Sequence, residues 1–497
     1  MDNQLDIIIC IIPKINPDAP TVGPALLKSH LMDEGFTCEV VDLNIKLFNA
    51  LKKINKHEHY FFNNDALFRT HHNEIENDSL ELNREFQEFY KENESVFLEW
   101  IGFFKRKNPK WIGLSILSIY SQSVAVKLSQ LIRQYLPHTK IVWGGAQIEW
   151  GIQKFKEIGL MDHYICGDGE QAIIELLKGN TTYKGIDTLT PVQVLDLNSV
   201  KIPNYDDINW DEYHIMDYDR PVYITGSRGC VKRCTFCNVY QIWPEYRFRS
   251  GKHIAEEIIA IRKKYNRHFF KFTDSLINGS MKAFRELLHE LKEYRKTDPD
   301  FKWSSQWIVR SKAQSPEADY QLMVDSGCVE LDIGIESFSQ HVRYHMGKKF
   351  TDEDMWWCFE MLQKYKIQHT LLMIVGYPTE TEEDHQHTLN TIQHLYDTGY
   401  AHNTNEWGNK LLYLSFGNTL MLSEDHPIWE LVKDELTSYT DIFDWDYKGN
   451  TLQVRARRFK EINEFIMKLN NTDYSGWIID KELRRYDNVL GVKNDDD

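Results

Sequence analysis

Apolar and polar positions change period along this chain in a way that reads as alternating strands and helices. "DIIICII" (residues 6–12) is a continuous apolar run, the pattern of a strand covered on both faces. A loop with Pro13, Pro20 and Gly23 follows, then "GPALLKSHLMDEG", amphipathic at helical spacing. "CEVVDLN", "WIGLSIL" (111–117), "KIVWGGAQ" (140–147) and "HYICGDGE" (163–170) read as further strands, the last turning into the helix "EQAIIELLKG". These elements predict a parallel sheet over residues 1–180, with strand ends rich in glycine and small polar residues. That carboxyl edge is where open α/β sheets bind ligands. Within it, residues 46–108 are rich in Asn, Glu, His and aromatics, and "LNREFQEFYKENESVFLEWIGFFKRK" has helical periodicity. A helical insertion is expected there, its aromatics either lining a pocket or packing the domains. Residues 181–220 lack sustained periodicity and are expected to form a linker wrapping the domains together.

A second series starts at residue 221. "PVYITGS", "HFFKFTDS", "FKWSSQWIVR", "CVELDIGIES", "QHTLLMIVGYP" and "NKLLYLSFGNT" read as strands. Helical stretches separate them, such as "HIAEEIIAIRKKY" and "TDEDMWWCFEMLQKYK". Six strand–helix repeats over residues 221–430 predict a parallel barrel or partial barrel. Residues 431–497, with "RARRFKEINEFIMKL", are expected to form a C-terminal helical extension.

The 497 residues suffice for two or three domains with large cores. A net charge of -16 argues against a protein that coats nucleic acid or an anionic membrane, and no nucleic-acid partner is expected. "RARRFK" (455–460) reads as a solvated helix face. No segment reaches the ~20 apolar residues of a membrane span, and the N-terminus lacks the basic region of a signal peptide. Eight cysteines, scattered except for one cluster, do not form a secreted disulfide framework, so a reducing, cytoplasmic setting is expected.

That cluster is "GSRGCVKRCTFCNVY" (226–240), with Cys230, Cys234 and Cys237 in the loop after the first barrel strand. Loops at the carboxyl ends of parallel strands carry active sites in such architectures. Three thiolates can hold three irons of a 4Fe-4S cluster and leave the fourth open to a substrate or cofactor. Zinc would want a fourth ligand, for which His253 at the head of a helix is the nearest downstream histidine. Cys328 and Cys358 fall on apolar faces and read as core residues. The histidines of "HEHYFF" and "RTHHNE" read as surface positions.

CxxxCxxC after the first strand, with Phe236 before the last cysteine, resembles the radical S-adenosylmethionine (SAM) superfamily. The resemblance implies an open iron that chelates SAM, whose one-electron reduction gives methionine and a 5′-deoxyadenosyl radical. It further implies SAM-binding roles for Phe236, for Asp274 and Ser275 at the end of "FKFTDS", and for Glu336 and Ser337 at the end of "CVELDIGIES". Arg310 would take the cofactor carboxylate, and Gly376 in "MIVGYPTET" would let adenine approach. "MGKKFT" is similar to a link found in many members, with Lys348 at the matching lysine. An external one-electron reductant such as flavodoxin or ferredoxin is implied as a partner.

The front sheet resembles the Rossmann-like cobalamin (vitamin B12)-binding domain of one subfamily. The landmarks are Pro20, Gly23, Asp42, Ser115, Ser118, Gly144, Gly145, Gly167 and Glu170, with Asp168 in the "GDGE" turn. Small residues there would let the corrin and its tail approach the backbone. The DxHxxG motif that ligates cobalt from below is absent, as in many of that subfamily. The resemblance implies a cobalamin-dependent enzyme methylating an unactivated carbon, with radical cyclisation or rearrangement, or a non-enzymatic cobalamin sensor, as the other readings. The substrate is open among small molecules, lipids and peptides. No extra three-cysteine cluster in the N-terminal domain and no basic RNA-binding tail points to a methylthiotransferase.

Overall fold

In the computed structural model the described residues are 4–470, except 64–65, 69–74, 77–78, 81, 147, 149–150, 214–219, 401–402, 405–409, 412–413, 418–426 and 441–443. "RTHHNE" and the C-terminal tail from residue 471 lie outside them. The chain divides into two compact units, residues 1–225 with 256–270, and residues 226–255 with 271–497.

In the first unit, β1 (Ile7–Ile11), α1 (Val22–Asp33), β2 (Cys38–Asp42), α2 (Leu43–Lys53) and the 24-residue α3 (Arg84–Lys107) come first. β3 (Trp111–Ser115), α4 (Gln122–Tyr135), β4 (Lys140–Gly144), α5 (Ile152–Glu157), β5 (His163–Ile165) and α6 (Gly169–Leu177) complete it. The five strands lie in the order β2-β1-β3-β4-β5, all pairs parallel. The chain reverses its direction of travel across the sheet between β1 and β3, the switch point at which such sheets open a crevice.

The "IIICI" of β1 is apolar throughout because it feeds two cores. Ile8 and Cys10 join the cluster under α2, α3, α4 and α5, while Ile7, Ile9 and Ile11 join the cluster under α1 and α6. Side chains alternate across a strand, so a one-sided pattern could not do both. The aromatic insertion belongs to the first of these cores. Phe86, Phe89, Phe97, Trp100, Ile101 and Phe104 of α3 are buried in it. Asn83 caps α3, accepting from Phe86 N at 2.7 Å, and Lys105, Arg106 and Lys107 sit at its C-terminal end, where the helix dipole favours cations. Within "HEHYFF", Tyr60 and Phe61 are core residues and His59 is exposed.

Of residues 181–220, expected as a linker, the described stretch 181–213 packs onto the first unit. Bridges join Ile165 to Ile186 and Gly167 to Val192. Asp207 pairs with the buried Lys28 at 2.5 Å, and Tyr213 donates its hydroxyl to Asp42 at 2.6 Å.

The second parallel sheet has six strands: β6 (Val222–Ile224), β7 (Phe269–Phe272), β8 (Lys302–Trp307), β9 (Cys328–Glu336), β10 (Gln368–Ile374) and β11 (Leu414–Gly417). Their order in the sheet, β11-β10-β9-β8-β7-β6, is their order in the chain. The intervening helices are α7 (Gly251–Tyr265), α8 (Met281–Arg295), α9 (Glu317–Asp325), α10 (Gln340–His345), α11 (Asp352–Tyr365) and α12 (Glu382–Asp397). Thr351 and Thr381 start α11 and α12 with reciprocal capping boxes to Asp354 and Asp384. Cys328 and Cys358 are buried free thiols, as expected. The C-terminal extension is not helical throughout: a two-stranded antiparallel pair, Leu436–Tyr439 with Trp445–Tyr447, precedes α13 (Leu452–Asn470). No described helix is long and apolar enough to cross a membrane.

Asp42 is the polar joint of the first unit, capping α2 through Ile45 N at 2.9 Å while accepting from Tyr213. Asp42→Ala removes a cap and strands a buried hydroxyl. A loss of about 2–4 kcal/mol is expected, read from the urea midpoint of the full chain.

Candidate functional site

The cysteine loop is closed at its base by a short hairpin in which Ser227 and Arg228 pair with Phe248 and Arg247. The two glycines of "GSRG" follow from this closure. Gly229 takes φ +82, and a Cβ there would lie 2.6 Å from the Glu245 carbonyl oxygen. A Cβ on Gly226 would crowd Ile254 at 3.0 Å and the Asp274 carboxylate at 3.2 Å. Asp274, buried at the end of β7, accepts from Gly226 N at 2.9 Å and from the Ser227 hydroxyl. Burial pushes its carboxyl up to about 6, against these hydrogen bonds. Asp274 therefore anchors the loop, where the resemblance implied a contact to SAM. Ser275 beside it is half-buried.

Cys230, Cys234 and Cys237 are free thiols that share one electrostatic neighbourhood. Burial pushes all three up, Cys234 to about 11, while the nearby Lys348 ammonium pulls each down. Among the described residues no three His, Cys, Asp or Glu side chains gather closely enough to hold one metal ion. An iron–sulfur cluster takes each thiolate on a different iron, so its ligands need not meet at one point. Three thiols facing a buried cation are a donor set that such a cluster fits.

Lys348 reaches this neighbourhood from the loop after α10. It pairs with Glu336 at 2.8 Å and donates to the Gly334 carbonyl at 3.0 Å. Burial disfavours its charge, yet Glu336 and the thiols outweigh that and raise its pKa. Glu336 closes β9 just past a register shift, in the left-handed region at φ +66, a conformation held by its surroundings. Ser337 is buried, its hydroxyl accepting from Ser339 N at 3.2 Å. The fully buried Arg343 clamps the Ser337 and Phe338 carbonyls at 2.9 and 2.7 Å and pairs with Asp352, fixing the strand end that carries Glu336. Phe236 lies 6.0 Å from the Lys348 ammonium and packs against the apolar cluster of Val342, Met346, Tyr377 and Trp445.

Arg310 commits one nitrogen to the Asn278 and Gly279 carbonyls at 2.7 and 3.2 Å. Its Nε is buried without a partner among the described residues, and the guanidinium is close enough to Cys230 to feel its charge. An unpaired buried donor beside the thiols suits a carboxylate ligand. Gly376 departs from expectation: at φ +83, the space a Cβ would take is filled by the Arg455 stem at 2.7 Å. The protein's own packing therefore requires a glycine there.

The landmarks of the first unit divide in the same manner. Gly145 (φ +117) would place a Cβ 2.3 Å from Ile116 O, and Gly167 (φ +89) one 2.3 Å from Val192 O. Both are glycine because the chain crosses itself there, and Asp42 is spent on α2 and Tyr213. All three thus have structural roles within the first unit. Ser118 accepts from Tyr120 N at 3.1 Å, Pro20 is buried, and Glu170 is buried in the first turn of α6, where the helix dipole favours an acid. Gly23 has nothing within 4 Å of where a Cβ would be, and Gly144 only Ile165 O at 3.8 Å. With the half-buried Ser115, these leave an approachable backbone at the carboxyl edge of the sheet.

Sequence reasoning missed Thr235, Tyr377, Arg343, Asn450 and Arg455. Thr235 lies inside the cysteine motif, Tyr377 inside "MIVGYPTET" and Arg343 six residues past Ser337, while "RARRFK", expected as a solvated face, buries Arg455, Arg458 and Phe459.

Residues 224–392 match the profile described as the Radical SAM superfamily. An uncharacterized methyltransferase of Pyrococcus horikoshii is 23% identical over 350 residues, covering 66% of this chain and 74% of the relative. Two anaerobic magnesium-protoporphyrin IX monomethyl ester cyclases match over only 47% and 50% of their own lengths. Among solved structures, the radical SAM methyltransferase TsrM of Kitasatospora setae, with tryptophan and a SAM analogue bound, has TM-score 0.61 and 15% identity. That alignment covers 93% of this chain and 89% of TsrM. OxsB, a cobalamin-dependent SAM radical enzyme, has TM-score 0.65 and 14% identity over 98% of this chain and 71% of its own. At such identities the two structures speak for the fold: a Rossmann-like sheet followed by a radical SAM sheet. With its thiol loop after β6, this chain carries a radical S-adenosylmethionine superfamily domain over residues 224–392, preceded by a Rossmann-like domain.

Proposed function

We propose that this radical SAM enzyme is a cobalamin-dependent methyltransferase acting on an unactivated carbon. The observation that carries the radical chemistry is the set of three thiols facing the buried Lys348–Glu336 pair. The methyl-transfer part is supported by the switch-point sheet of the first unit, with Gly23, Ser115 and Gly144 open at its edge, and by the methyltransferase relative.

Cys230, Cys234 and Cys237 would hold a 4Fe-4S cluster, and Gly23, Ser115 and Gly144 would lie against cobalamin. When bound, these groups supply the electron that cleaves SAM and the carrier for the methyl group. The chain's own residues do the rest. Lys348 offsets the negative charge of the thiolates, which burial would otherwise keep protonated. Arg310 offers its unpaired Nε to the carboxylate of SAM, and Glu336 offers its carboxylate as an acceptor for ammonium or hydroxyl groups. The apolar packing around Phe236, Met346 and Tyr377 keeps water from the loop's inner side. A small acidic electron carrier is the partner we propose, since the exposed Arg233 beside the cluster loop offers it positive charge.

Cys234→Ala should reduce 5′-deoxyadenosine formation to background in reconstituted protein assayed with dithionite; persistent formation would overturn the cluster assignment. The cobalamin reading is tested by anaerobic reconstitution with iron, sulfide and hydroxocobalamin, then desalting and an absorbance spectrum. Stoichiometric cobalamin beside the cluster band is expected. A cluster band alone would remove the methyl-transfer reading and leave the radical chemistry standing.

A further inference from the structure

The loop between Cys234 and Cys237 is held from outside itself. Thr235 N donates to Met346 O at 3.1 Å, and its hydroxyl lies 2.8 Å from the Tyr377 hydroxyl. The His345 carbonyl lies within reach of both hydroxyls, 3.0 Å from that of Tyr377 and 3.3 Å from that of Thr235, so the three oxygens form one network. Its ring is 1% exposed and sits in the same apolar cluster as Phe236. The residue between two cluster cysteines is thus tied to the turn that follows β10.

That turn is clamped by the C-terminal segment. Asn450 donates to the Tyr377 and Pro378 carbonyls at 2.9 and 3.2 Å. Arg455 stacks 3.5 Å from the Trp445 ring, donates to the Trp445 and Asn450 carbonyls at 3.0 and 2.5 Å, and fills the space beside Gly376. Glu380 accepts from Gly376 N at 2.7 Å, and its carbonyl accepts from Arg458 at 2.9 Å. Ile428, Val432, Trp445 and Tyr447 close the cluster that holds Tyr377 and contacts Phe236.

We propose that Tyr377 is a positioning residue for the cluster loop: through its hydroxyl it fixes Thr235, and residues 445–458 hold it in place to do so. The C-terminal extension thereby becomes part of the cluster site without contributing a ligand. This rests on the reading that the three thiols hold the cluster, so its test begins on iron-free protein.

The experiment measures iodoacetamide alkylation of each cysteine by peptide mass spectrometry in the anaerobic, iron-free full chain. Wild type, Tyr377→Phe, Thr235→Val and Thr235→Ser are compared, with Cys358 as the buried reference thiol. Tyr377→Phe and Thr235→Val should each speed Cys234 alkylation about tenfold, the effect of one lost hydrogen bond, with Cys358 unchanged. Thr235→Ser should match wild type, and the double variant Tyr377→Phe, Thr235→Val should be no faster than either single one. Unchanged Cys234 rates in both single variants would overturn the proposal. So would a parallel rise at Cys358, which would report general loosening. After reconstitution, Tyr377→Phe and Thr235→Val should each alter the EPR spectrum of the reduced cluster, and Thr235→Ser should leave it as in wild type. If wild type retains no iron, the cluster reading falls, while the alkylation rates still decide the role of Tyr377.

Discussion

A buried ammonium between a carboxylate and three thiols is the constraint around which the second unit is arranged. Lys348 cannot be buried alone, because an unpaired charge in the interior costs several kcal/mol. The thiols cannot become thiolates in a half-buried loop without a cation nearby. Each problem is the other's answer, and Glu336 completes the balance. Its left-handed backbone costs on the order of 1–3 kcal/mol, tolerated because Lys348 and the Arg343 clamp hold the strand end in place. The register shift in β9, the capping of α11 and the placement of Lys348 twelve residues past Glu336 all serve that one arrangement.

The first unit solves a different problem by different means. Its sheet buries both faces, so β1 must be apolar at every position, and the long aromatic helix α3 lines one of the two cores. The residues that looked most like ligand contacts there are in part scaffold. Gly145 and Gly167 are small because Ile116 and Val192 pass across them, and Asp42 is held by Tyr213. What the carboxyl edge keeps open is narrower: Gly23, Gly144 and Ser115.

Elements whose apolar period is set by burial were legible in the sequence, which is why both sheets, the insertion and the six-strand series could be read from pattern. The cysteine loop was legible because its spacing is local, and so was the pairing of Glu336 with Ser337 at a strand end. What escaped was written in contacts between distant positions. Tyr377 and Thr235 are 142 residues apart, and though each lies inside a recognisable motif, neither motif signals their contact. Gly376 showed that something approaches closely, without showing that Arg455 is what approaches. Residues 181–213 have no period because they follow the contours of a surface already formed, and Asp207 and Tyr213 attach them through isolated polar contacts that leave no repeat.

The clamp on the turn after β10 has a consequence for how the protein is made. The cysteines emerge from the ribosome well before residues 445–458, roughly 200 positions later. At about 5–20 residues per second, that is an interval of roughly 10–40 s in which the thiols exist but their loop has no outer brace. A cluster delivered during synthesis would meet an unset loop with oxidisable thiols. The design therefore favours loading after residues 445–458 have folded, which would make that segment a checkpoint on when a cluster could be received.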